Sequence, residues 1–134
     1  MLDLDRVDLA TLAEGLDDHS WTTEWWFDPA TGESIPKPES MSWEECDVDE
    51  PERLIAIEPQ PSSEGYGDME DFIARVSDPR ARELLERAIA GRGAFRRFKD
   101  TLFEFEALRE AWFAFRDART QRRAIEWLRA RRLI

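Results

Sequence analysis

The sequence predicts an α+β fold: a short N-terminal helix and a small antiparallel sheet of about three strands, packed with a four-helix C-terminal part. Three observations carry this expectation. Residues 21–27 alternate with the period of a strand and run into a turn sequence. From residue 68 onward, helix start signals and helical spacing account for almost every apolar position. The chain has 134 residues, 42% of them apolar, which is enough for one core without disulfide or metal staples. The expected organisation is one domain over residues 1–134, with an acidic α/β-hairpin part at 1–60 and a basic helical part at 68–134.

Each element has its own signal. Asp8 can cap a helix whose apolar positions Leu9, Leu12, Ala13 and Leu16 share one face, ending by about Asp18. Over 20–38 the chain reads as a β-hairpin. Trp21, Thr23, Trp25 and Phe27 alternate with Thr22, Glu24, Trp26 and Asp28, and Asp28-Pro29-Ala30-Thr31-Gly32 supplies the reversal. Glu33–Lys37 is a return strand, placed at a sheet edge because Pro36 and Pro38 cannot donate to a ladder. Residues 39–52 read as an acidic, irregular loop with one helical turn. Leu54–Ile57 is a short strand stopped by Pro59, and residues 61–67 read as a linker by composition. A first helix is expected to be capped by Asp68, with Met69, Phe72, Ile73 and Val76 inward. Asp78-Pro79 starts a second helix, which buries Leu84, Leu85, Ala88 and Ile89 and is closed by Gly91. A third starts near Gly93 with the stripe Phe95, Phe98, Leu102 and Phe105. The last spans about 107–131, with inward runs Leu108, Trp112, Phe115 and Ala124, Ile125, Leu128.

The net charge of −11 is unevenly spread. Residues 1–72 hold 21 Asp/Glu and 3 Lys/Arg, a net of −18, and residues 73–134 hold 9 and 16, a net of +7. Either the halves satisfy each other or one of them faces a charged partner. The acidic N-terminus differs from a signal peptide, no run is long enough to span a bilayer, and the one cysteine, Cys46, allows no internal disulfide. The expected location is the cytoplasm, with no membrane partner.

Catalytic and cofactor chemistry lacks material. The one histidine, His19, has no assignable nucleophile partner, and Cys46 lies between Glu45 and Asp47, a setting that opposes a reactive thiolate. One His and one Cys do not make a zinc site. The acidic run from Asp47 fails as a calcium loop because Glu52 stands where the sharp turn needs glycine. No metal, no cofactor and no enzymatic activity are expected.

One segment stands out. Gly91-Arg92-Gly93-Ala94-Phe95-Arg96-Arg97-Phe98-Lys99-Asp100 places four cations around a tight joint between helices. Such a segment can hold a phosphate or a partner's carboxylates. It can equally be satisfied internally, with Arg96 and Arg97 pairing with Asp100. The same decapeptide resembles the bacterial uncharacterised protein family (UPF) number 0158. So do Trp112-Phe113-x-Phe115-Arg116, Ala124-Ile125-Glu126-Trp127-Leu128, Met69-Glu70-Asp71-Phe72 and Thr31-Gly32-Glu33. The loop at 39–52 is shorter than is usual in that family. The resemblance implies an intact domain and no assigned activity. Its motif positions that are not obviously core are Arg92, Arg96, Arg97, Lys99 and Arg116, the candidate binding residues.

The functional expectation is a non-enzymatic protein-interaction or regulatory module with an unknown protein partner. It rests on charge segregation and on Trp21, Trp25 and Trp26, which put indoles on both faces of one strand. The alternative is binding of nucleic acid or another phosphate anion through the Arg-rich helical half. In a variant of it, the acidic half mimics nucleic acid and occupies a basic partner.

Overall fold

A computed structural model describes all of residues 1–134. Five helices and one three-stranded sheet confirm the α+β class. The chain divides into two compact units: Met1–Gln60 with Thr120–Ile134, and Pro61–Arg119. No helix is long and apolar enough to cross a membrane.

In the first unit, helix α1 (Leu9–Asp17) is capped as expected. The Asp8 carboxylate accepts from Thr11 N at 3.2 Å and from Thr11 Oγ1 at 2.6 Å. Strands β1 (Thr23–Phe27) and β2 (Ser34–Pro38) form the hairpin, and β3 (Ile55–Ile57) joins the other side of β1. The order is β2-β1-β3, all antiparallel, so the proline-bearing strand is at an edge. Strand β1 begins at Thr23, which leaves Trp21 outside the ladder. The acidic loop holds two short 3₁₀ turns, Trp43–Glu45 and Pro51–Arg53, rather than one.

The turn between β1 and β2 is organised by Asp28. Its carboxylate accepts from Ala30 N at 2.9 Å, and Arg53 donates to both of its oxygens at 2.9 and 2.8 Å. This fork holds the Asp28 carboxyl below the ordinary value of 3.8 and raises the Arg53 guanidinium further still. Gly32 closes the turn at φ +80°. Its carbonyl accepts from Asp8 N at 3.0 Å, which ties the turn to the start of α1.

The sheet's two faces differ, because side chains alternate along a strand. Phe27 and Ile57 are buried on the core face with Leu12 and Leu16. Trp127 covers Phe27 edge-on at 5.6 Å. On the other face, Trp26 meets Trp43 at 5.1 Å. Lys37, buried despite its charge, is held by Glu24 at 3.4 Å and lies 5.4 Å from the Trp43 ring. A buried ammonium without such partners would be strongly disfavoured.

The second unit is helical: α2 (Ser62–Ala74), α3 (Pro79–Ala88), α4 (Ala94–Leu102) and the first part of α5 (Glu106–Ala130). Its core is aromatic, with Trp112 packed against Phe98 at 4.8 Å and against Phe72 at 5.4 Å. Three expectations are corrected here. Residues 62–67 are the opening turns of α2, not a linker. Tyr66 donates to Ile89 O at 2.8 Å, and Gly65 lies against the Phe95 ring, so packing overrides the low helix propensity of Ser and Gly. Asp68 is therefore no cap but a buried carboxylate inside α2, with Arg119 at 3.5 Å. Phe95 is 46% exposed, and the inward stripe of α4 is Ala94, Phe98 and Leu102.

Helix α5 serves both cores in turn. Trp112 is buried with the second unit's cluster, while Ala124, Trp127 and Leu128 are buried with the first unit's. Counted by unit, the first holds 18 Asp/Glu and 8 Lys/Arg, a net of −10, and the second holds 12 and 11, a net of −1. The basic C-terminal half of the sequence is thus not a basic unit.

Candidate functional site

The five candidate cations lie in the second unit and are not equivalent. Gly91 and Gly93 adopt left-handed φ of +79° and +73°, which makes the joint between α3 and α4 sharp. That turn brings Arg97 back over the end of α3. Its guanidinium donates to the carbonyls of Ala88, at 2.9 Å, and of Ala90 and Arg92. These carbonyls have no helical partners of their own, so Arg97 acts as a C-terminal cap. The expected pairing of Arg96 and Arg97 with Asp100 does not occur. The side chains of Arg92, Arg96, Lys99 and Arg116 are exposed and make no ion pair or hydrogen bond. Along α4, the exposed rings Phe95 and Phe103 accompany Arg96 and Lys99, with Phe103 67% exposed and Arg109 5.2 Å above its ring.

The first unit holds a second arrangement. A half-open cleft of about 280 Å³ lies where β3 stops short of β1. Trp25, Trp26, Ile57 and Pro59 line it, with the small Ala56 leaving room, and Asp18, Glu24 and Glu58 stand around it. The register explains its charge. Trp25 faces Ile57 and Trp26 faces Ala56, so the next position would set Glu24 opposite Glu58. Like charges directly opposed are unfavourable in a sheet, and Pro59 cannot donate, so the ladder ends there.

The three carboxylates differ in what they already hold. Asp18 accepts from Trp25 Nε1 at 2.7 Å and from Ser20 N at 2.8 Å, which lowers its carboxyl below the ordinary 3.8. Glu24 accepts from Trp26 Nε1 at 3.2 Å and balances Lys37. Glu58 is exposed and has no partner. His19, exposed, places Nε2 2.7 Å from Gln60 O, a contact in which the ring donates. Gln60 N donates to Leu16 O at 2.7 Å, so the end of α1 is fastened to the segment leaving β3 beside the cleft. Trp21, two residues before β1, is 90% exposed. The tryptophan signal was legible in the sequence. The cleft was not, because it depends on the pairing of β3 with β1.

A model of the family described as "Uncharacterised protein family (UPF0158)" matches residues 35–134. The Thr31-Gly32-Glu33 turn lies outside that match. The UPF0158 protein PA5073 of Pseudomonas aeruginosa is 35% identical over 79 residues, which are 59% of this chain and 52% of that protein. The chain thus matches about half the length of this curated relative. No solved structure matches.

Proposed function

Since the chain belongs to the uncharacterised protein family (UPF0158), whose name assigns no activity, we propose from its own residues that it is a non-enzymatic, cytoplasmic protein-interaction module. The observation that carries this reading is Trp21, 90% exposed on the unit that bears the Trp25–Trp26 cleft and a net charge of −10. An exposed indole offers a large apolar area that a partner can cover, and tryptophan leads the residues on which interfaces depend. The test is affinity capture from a bacterial lysate with wild type and Trp21→Ser side by side. A polypeptide retained by the wild type should be weakened at least about tenfold by the substitution. Both proteins should unfold at the same temperature, because an exposed side chain contributes little to the fold. Identical capture profiles would end this reading.

A second reading is favoured by the four unpaired cations Arg92, Arg96, Lys99 and Arg116, accompanied by exposed Phe rings on α4. Such a surface suits a single-stranded nucleic acid, whose bases stack on aromatics while phosphates meet Arg and Lys. Against it stand the near-neutral second unit and the overall −11. Fluorescence anisotropy with labelled single-stranded RNA at two salt concentrations decides it. Salt-sensitive binding lost in Arg96→Glu/Lys99→Glu supports this reading, and no binding at low salt removes it. Arg97 is left intact in that variant because its loss would uncap α3.

A further inference from the structure

We infer that the cleft between β1 and β3 is a subsite for one arginine side chain of the partner polypeptide; this deepens the interaction reading and rests on it. Three features of the cleft point the same way. Its size, about 280 Å³, is below the range of drug-sized ligand pockets and well above the roughly 30 Å³ share of a water molecule, so it suits a single side chain. Trp25 and Trp26 are among the residues that line it, one indole on each face of β1, and an indole attracts a cation over its face and stacks on a planar one. Its charge is unbalanced: of Asp18, Glu24 and Glu58, only Glu24 is in an ion pair, with Lys37, and Glu58 has no partner of any kind.

Charge complementarity therefore selects a cation, and geometry selects guanidinium over ammonium. A guanidinium is planar, can lie flat against an indole and still present N–H donors in its own plane. Here those donors would reach Glu58 and the lone pairs of Asp18 and Glu24 not already engaged. The occupant also relieves the opposition of Glu24 and Glu58 that ends the ladder. A free amino acid is a poorer fit, because its own carboxylate would face this acidic rim. That distinguishes a partner's side chain from the same chemistry supplied by a small molecule.

The experiment follows the six indole N–H signals of the full chain by ¹⁵N NMR during titration at constant ionic strength. The probes are N-acetyl-arginine amide, free arginine and N-acetyl-citrulline amide, which keeps the shape and loses the charge. The Trp25 and Trp26 signals should shift saturably with the first, more weakly with free arginine and not with the citrulline probe. Glu58→Gln removes only an unpartnered, exposed carboxylate and so leaves the fold intact. It should raise the dissociation constant about threefold to fivefold. Equal shifts with arginine and citrulline, shifts confined to other indoles, or no effect of Glu58→Gln would each overturn the subsite. The titration contains no partner protein, so its failure is separate from failure of the Trp21-dependent capture.

Discussion

Gly32→Ala should unfold the first unit at temperatures where the wild type is intact. A Cβ built at Gly32 falls 2.3 Å from Arg6 O, a backbone atom that no side-chain rotation can move. The φ of +80° adds the cost of a left-handed backbone to an L-residue, about 1–2 kcal/mol. Relieving the clash must also pull Gly32 O away from Asp8 N and so loosen the start of α1. The combined cost is about 3 kcal/mol, a fall of on the order of 10 °C or more in Tm for a unit of this size. Tryptophan fluorescence is the natural probe, since five of the six tryptophans, all but Trp112, lie in the first unit. Gly67→Ala is the control: it lies inside α2 with nothing within 4 Å of the added carbon and should stabilise by about 0.5–1 kcal/mol. An unchanged transition in Gly32→Ala would show that the turn does not bear on the segment before α1.

Asp28→Asn should cost about 2 kcal/mol at neutral pH, and the cost should vanish in acid. The substitution keeps the turn's acceptor for Ala30 N and removes the charge that Arg53 grips at both oxygens. Fully buried pairs cost more to break, but the Arg53 side chain is 34% exposed and water recovers part of the loss. The pH dependence follows from the direction of the shift. Asp28 is depressed below 3.8 in the fold, so its stabilisation is complete above that value and is lost as pH falls through the lower, folded value. Asp8 and Asp18 are depressed as well, through Thr11 and Trp25. The wild type should therefore weaken below about pH 3.8, while the gap between wild type and variant closes. Urea midpoints of the two proteins at pH 7 and pH 3 test this, and a gap of equal size at both values would refute it.

Much of the fold was legible because its signals are local. The Asp8 cap, the Gly32 turn, the Asp78-Pro79 start and the left-handed Gly91 each involve residues a few positions apart. Distant packing defeated the same reasoning elsewhere. Ser62–Gly67 has linker composition, yet Ile89 and Phe95 hold it helical from 20 to 30 residues away. In α4, helical spacing admits either Ala94 or Phe95 as the first inward residue, and only the fold chooses the smaller. Arg97 looked like its neighbours until the glycine joint turned it onto three carbonyls. The cleft is the extreme case, since it exists only when Ile55–Ile57 pairs with Trp25–Phe27.

Helix α5 also imposes an order of events at synthesis. The first unit's core is closed by Ala124, Trp127 and Leu128, and Leu2 N donates to Leu133 O at 2.8 Å. Within this unit the residues made before Pro61 must therefore wait for residues 124–133, whereas every residue of Pro61–Arg119 can emerge before those are made. During that interval the acidic strands and their tryptophans are exposed without their closing helix. The chain's most carboxylate-rich stretch is thus also the part of it most in need of remaining soluble while unfinished.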